Sequence, residues 1–154
     1  MARVMRLAVA GALVAALAGC QGIPADPDGT LDEVTGGTLQ VGVTHNPPWT
    51  DVMDAANPSG SEVRLVEQWA ADLDAEVSWT VGSESVLIDA MDRGELDLVI
   101  GGFRDDTPWM DRAALTAPYT ESTGDDGAVE KHVMLAPLGE NRFLVALETF
   151  LGRP

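Results

Sequence analysis

The segment Leu96–Tyr119, LDLVIGG-FRDDTPWMDRA-ALTAPY, decides how the rest of the chain is read. It opens on a short apolar run ending at Gly101-Gly102. It then crosses a polar turn with Arg104, Asp105, Asp106, Thr107, Pro108 and Trp109, and closes in a second extended run at Pro118-Tyr119. A brief apolar run bounded by glycine is the pattern of a parallel strand covered on both faces. Open α/β sheets hold ligands where such strands end, because glycine lets backbone approach and leaves N–H groups pointing outward. The segment therefore reads as one wall of a small-molecule cleft.

Working upstream, Leu39–Thr44 alternates apolar with polar or small residues and predicts a strand. Pro47-Pro48 ends it, since proline neither donates a ladder hydrogen bond nor enters a helix interior. After Asn57-Pro58-Ser59-Gly60 a helix is predicted, with Ser59 and Glu62 at capping-box spacing or Ser61 as the N-cap. Its apolar face is Val63, Leu65, Val66, Trp69, Ala70 and Leu73, with Trp69 assigned to the core. Glu76–Val81 reads as a second strand. The helix after it carries Val86, Leu87, Ala90 and Met91 and stops at Arg93-Gly94. Strand, helix, strand, helix, strand within about 65 residues predicts right-handed parallel crossovers.

Downstream, a short helical turn is expected at Thr107–Arg112 and a chain reversal at Thr123–Gly127. His132–Ala136 predicts another strand, stopped by Pro137. Glu140–Leu151 predicts a last helix with Phe143, Leu144, Leu147, Phe150 and Leu151 on one face.

The N-terminus has the pattern of a targeting segment. Arg3 and Arg6 precede an apolar run from Leu7 to Leu17 and then Ala18-Gly19-Cys20. This is the order of a secretory signal peptide, expected over residues 1–19, and the run is shorter than the ~20 apolar residues that span a bilayer. Leu17-Ala18-Gly19-Cys20 resembles a bacterial lipobox. Cys20 is thus the expected lipidation site and membrane anchor, the alternatives being a plain cleavage site or an uncleaved anchor. It is the only cysteine, so disulfides and thiolate catalysis are excluded from the remainder. Gln21, where inner-membrane lipoproteins commonly carry aspartate, favours the outer membrane in a Gram-negative cell. Residues 20–36, rich in Pro, Asp and Gly, read as a flexible tether, and 37–152 as one domain.

The net charge of −16, with Lys131 the only lysine among nine basic residues, excludes nucleic acid as a partner, because phosphate neutralisation needs basic clusters. So even a spread of acid reads as a solvated surface.

Gly37–Val43, Pro47-Pro48-Trp49, the helix after Gly60, and Leu87–Phe103 together resemble the family 3 extracellular solute-binding proteins. These are bilobed receptors that deliver amino acids and related solutes to ABC transporters. In that family the chain leaves the first lobe after a proline–tyrosine pair, here Pro118-Tyr119, builds a second lobe, and returns. Only about ten residues join Thr120 to Lys131 here, too few for a lobe. The resemblance therefore implies a single lobe in which Ala114–Thr120 and His132–Ala136 form a direct hairpin through Gly124–Gly127. The implied fold is three-layer α/β, one lobe of a type II periplasmic binding protein. Its mainly parallel five-stranded sheet has the order 2-1-3-5-4, with only the fifth strand antiparallel.

On that topology His45, Asn46, Trp49, Gly101, Gly102, Arg104, Thr107, Trp109 and His132 gather around one mouth, and all but His45 are the expected ligand-binding residues. The resemblance implies that Trp49 covers the ligand and that Gly101 and Gly102 offer N–H groups. The family arginine that clamps an α-carboxylate aligns with Trp109 and is absent. Arg104 is the expected substitute, with Arg112 a weaker one, unless Arg104 pairs with Asp105 or Asp106 on the surface. Trp109 either meets the ligand or lids the lobe's own apolar edge. His45 and His132, with Asp105, Asp106 and Glu130 near in sequence, are too loosely spaced to predict a metal site, and no cofactor is expected. No serine sits in a nucleophile turn, and one lobe does not exclude water, so no enzyme activity is expected.

The expected function is a lipid-anchored solute-binding protein of the cell envelope or periplasm. It would take a small polar solute such as an amino acid or carboxylate and serve a transporter permease or a sensor. The alternative is an accessory lipoprotein whose exposed edge, with Trp49, Phe103 and Trp109, binds another protein or a second copy as a homodimer.

Overall fold

The computed structural model describes residues 26–153; the signal peptide, Cys20 and the first part of the expected tether lie outside them. Eleven elements follow in order. They are α1 (Thr30–Val34), β1 (Thr38–Val43), α2 (Ser61–Asp72), β2 (Glu76–Val81), α3 (Glu84–Asp92) and β3 (Leu98–Arg104). A 3-10 turn (Pro108–Asp111), β4 (Ala114–Leu115), β5 (Thr120–Thr123), β6 (Val129–Ala136) and α4 (Asn141–Leu151) complete the chain.

The sheet order is β2-β1-β3-β6-β4, with β5 also on β6. β1 pairs in parallel with β2 and β3, while β6 is antiparallel to β3, β4 and β5. Five strands therefore run one way and β6 the other, as expected. The fourth predicted strand is split: Ala114–Thr120 is interrupted between β4 and β5, both of which lie along β6. At the break the Thr116 amide still donates to the Met134 carbonyl at 3.0 Å, but the Met134 amide donates to the Thr116 hydroxyl, also at 3.0 Å, so a side chain takes over one half of the ladder exchange.

The hairpin is present. Thr120 faces His132 and Thr123 faces Val129. The reversal closes through Gly127 N to Gly124 O at 2.9 Å and Gly124 N to Ala128 O at 2.8 Å, with Gly127 at φ 81°. A tight turn followed by a left-handed glycine is the usual short hairpin of this length.

Period-two alternation divides the core between two faces. Leu98, Ile100, Met134 and Ala136 turn toward α1, α2 and α4, where Trp69 meets Phe143 edge-on at 5.1 Å. Val99, Phe103, Val133 and Leu135 turn toward α3, beside Leu87, Ile88 and Met91. With α2 and α3 on opposite faces, the chain winds both ways from β1, and the crevice at the carboxyl ends of β1 and β3 is the switch point where such sheets bind ligands.

Two expectations are corrected. Residues 26–36 are not a free tether: Thr30 and Val34 are buried, and Glu140 accepts hydrogen bonds from the Asp28 and Thr30 amides. The segment contains one helical turn with two residues to bury, which proline and aspartate content alone conceals. The α2 N-terminus has no side-chain cap; its N-cap is Gly60, and Glu62 faces inward with 0% exposure.

Candidate functional site

The loop between β1 and α2 folds back on itself through Asn46 N to Thr50 O at 2.9 Å and the paired Asp51–Ser59 backbone. This holds Trp49 over β3. At the contact β3 bulges: Val99 faces Leu135 and Phe103 faces Val133, so four residues of β3 advance against two of β6. Gly101 and Gly102 fill the bulge, Gly102 at φ 65°. A Cβ on Gly102 would sit 2.3 Å from the Trp49 ring, so the indole rests on a surface only glycine provides.

Side chains satisfy every backbone polar group of the bulge. Glu62 Oε2 accepts from the Gly101 and Gly102 amides, both at 2.8 Å, and its Oε1 accepts from the Tyr119 hydroxyl at 2.5 Å. Asn46 Nδ2 donates to the Gly101 carbonyl at 2.7 Å. His132 Nδ1 lies 3.3 Å from the Gly102 carbonyl and Nε2 2.8 Å from Ser122 Oγ. His132 is 2% exposed, and its ring lies 4.0 Å from that of Trp49. Burial raises the Glu62 carboxyl, and the three donors only partly offset it. Burial, and then the Glu62 charge, raises Tyr119 and keeps its hydroxyl protonated.

Above the bulge lies an open cleft of about 380 Å³ lined by Asn46, Trp49, Gly101, Gly102, Arg104, Thr107 and His132. Seven of the eight expected site residues therefore converge. Their chemistry differs from the expectation at three points. The glycine amides are not free, because Glu62 occupies both. Arg104 is not a free clamp: its Nη1 holds Glu130 at 2.6 Å and its Nε lies 3.2 Å from Asp106. The hydrogen bond with Glu130, then the Asp106 charge, raise the guanidinium further. Trp109 does not line the cleft; it packs on the α3-side core and donates Nε1 to Glu84 at 2.8 Å.

Arg112 points away from the cleft, to Asp89 and Asp92 on α3. His45 stays at the surface beside Asp51, at 3.7 Å. Among the described residues no group of three His, Cys, Asp or Glu is placed to hold a metal ion.

Two carboxylates of the cleft lie outside the expected ligand-binding set. Glu84 lines the cleft from the first turn of α3; its place after the carboxyl end of a parallel strand was the available signal. Glu130 reaches the cleft because the hairpin sets it beside the end of β3. With Asp106, these make three carboxylates against the single guanidinium of Arg104.

A doubly wound lobe with one returning antiparallel strand and a cleft at its switch point is one half of a type II periplasmic binding protein. The chain belongs to the bacterial extracellular solute-binding proteins, family 3, whose model matches residues 39–151; that family works in the periplasm or cell envelope and binds solutes. Among solved structures it is similar to the arginine-bound form of domain 1 from TmArgBP. The TM-score is 0.67 at 22% identity, over 78% of this chain and 95% of that one. A single-site variant of the same arginine-bound domain gives 0.69 at 24%, over 79% and 95%. An ancestral cationic amino acid solute-binding protein gives 0.68 at 14%, over 79% and 92%. At these identities the likeness establishes the fold. No curated protein matches the chain.

Proposed function

We propose that this chain is a lipid-anchored solute-binding module. It is held to a membrane of the cell envelope through Cys20, the outer one where the cell is Gram-negative, and presents one open cleft to an ABC-type permease or a sensor. It performs no chemistry, because an open half-cleft does not exclude water. The observation that carries the reading is the cleft itself, at the switch point of the lobe. The arginine-bound form of domain 1 from TmArgBP supports it, as a domain of the same fold with a ligand present.

Within the range of small polar solutes, the wall favours an amino acid bearing a cationic side chain. Glu84, Asp106 and Glu130 outnumber Arg104. A ligand carboxylate would have to displace Glu130 or Asp106 from the guanidinium. Half a clamp covers less than the ~70–90% of a ligand that a closed pocket covers, so affinity is modest.

Calorimetry with arginine, lysine and glutamate tests this. Arginine and lysine are expected to bind at low salt and weaken as salt screens the carboxylates, while glutamate does not bind. Trp49→Ala should weaken arginine by about tenfold or more, ~1.4 kcal/mol. Glutamate binding as tight as arginine would discard the charge argument; arginine binding unchanged in Trp49→Ala would discard the site.

A second reading has its own observation. The expected patch of Trp49, Phe103 and Trp109 is not exposed as such, since Phe103 is buried at 5% and both indoles are half-buried. The exposed apolar side chains are instead Met53, Val86, Met110, Val129 and Leu138, between 50% and 86%. Side chains of this kind suit another protein or a second copy. Sedimentation showing a monomer at high concentration, with no partner retained, counts against it.

A further inference from the structure

At the sheet edge opposite the cleft, two buried carboxyl groups meet. The Asp26 side chain is 1% exposed and Glu140 is 2% exposed. Glu140 Oε1 accepts from the Asp28 amide at 3.1 Å and Oε2 from the Thr30 amide at 3.2 Å. Asp26 Oδ2 accepts from the Leu31 amide at 3.2 Å. Asp26 Oδ1 is buried and has no donor among the described residues, and the two carboxyl groups accept from amides of the same short stretch, Asp28, Thr30 and Leu31. Two carboxylates gathered there repel each other and leave Oδ1 unpaired; one shared proton makes the pairing attractive.

We infer that Asp26 and Glu140 form a proton-sharing pair that latches residues 26–34 onto the lobe and releases them as the proton is lost. The proton belongs on Asp26. Burial first, then the Glu140 contact, raise its carboxyl. For Glu140, burial acts upward, but the hydrogen bonds from Asp26, Asp28 and Thr30 outweigh it and lower the group.

The surroundings do not replace the proton. Arg142 Nη1 stays 3.9 Å from Asp26 Oδ2, and its guanidinium is taken by Asp32 at 2.9 and 3.0 Å. Glu140 borders a cavity of about 420 Å³ that also carries Asp28, Glu33, Asp92, Asp97 and Arg112. Arg112 is held there by Asp89 and Asp92. The balance around the pair is negative, which opposes a second charge on it.

The sign follows from linkage. A carboxyl raised in the folded state stabilises fully below its unfolded pKa and loses that contribution as pH rises through the folded value. Docking of 26–34 is therefore firm in mild acid and loosens toward neutral and basic pH. The segment joins the lobe to the proposed anchor at Cys20, so release lengthens the tether and lets the cleft reach farther from the membrane.

Hydrogen exchange of the purified chain, corrected for intrinsic rates, tests the latch at about pH 5 and about pH 8. The Thr30–Val34 amides should open more often at the higher pH, ~10-fold for each unit by which the folded pKa of Asp26 exceeds the lower test pH. Asp26→Asn, whose amide donates to Glu140 at any pH, should remain protected at both. Glu140→Gln, whose amide donates to an ionised Asp26, should give protection that does not change with pH. Equal protection of the wild type at both pH values overturns the latch. So does an Asp26→Asn chain that opens with pH as the wild type does.

Discussion

Replacing Glu62 by alanine is expected to cost about 3–5 kcal/mol of stability, because buried donors left without a partner cost ~1–3 kcal/mol each. The lost groups are specific: Gly101 N, Gly102 N and the Tyr119 hydroxyl all donate to this one carboxyl, which is 0% exposed. For a domain with ~5–15 kcal/mol to spare, that is a large fraction. The thermal midpoint should fall by roughly 10–20 °C. Glu62→Gln separates the hydrogen bonds from the charge. Its amide oxygen still accepts from both glycines, so it should cost only about 1 kcal/mol.

The two variants also differ with pH. Burial raises the Glu62 carboxyl, so its contribution is greatest below the unfolded pKa and declines as pH rises through the folded value. The gap between wild type and Glu62→Gln should therefore narrow toward high pH. Thermal melts of the three proteins across pH measure this. An alanine variant as stable as the glutamine one would show that the bulge does not need the carboxyl.

Gly102→Ala carries the second large effect. A side chain at φ 65° costs ~1–2 kcal/mol in backbone strain alone. The added Cβ would also lie 2.3 Å from Trp49 Cδ1 and 2.8 Å from Asn46 Nδ2, forcing the indole off His132. The total is expected at about 2–4 kcal/mol, with overpacking supplying the excess. Gly94→Ala is the matched control: φ is 71°, and nothing lies within 4 Å of its would-be Cβ. If both variants melt alike, Trp49 is not seated on the bulge. If Gly102→Ala is the worse one, arginine binding should fall with it, because the same contact positions Trp49 over the cleft.

Much of the architecture was legible along the chain. Alternation in Leu39–Thr44 and Glu76–Val81, helical spacing from Val63 to Leu73, and the glycines ending β3 are signals between near neighbours. Such signals survive without coordinates because pleat and helix periods are fixed by backbone geometry. The resemblance then supplied the strand order, and the short link between Thr120 and Lys131 identified the missing excursion. These also brought Asn46, Trp49, Gly101, Gly102, Arg104, Thr107 and His132 to one mouth.

What the sequence by itself determined, then, is the winding of the sheet and the address of the cleft. Tertiary structure decided which polar groups remain free there. Glu62 has the spacing of a helix cap, yet it reaches Gly101 and Gly102 because burial leaves its carboxyl no water and the bulge offers two unpaired amides. Arg104 has acidic neighbours in sequence, but its shortest partner is Glu130, delivered by the hairpin. Asp26 reads as tether until Glu140 arrives from the far end of the chain to share its burial. Local periodicity is set by dihedral angles, whereas the partner of a charge is set by which groups meet once water is removed.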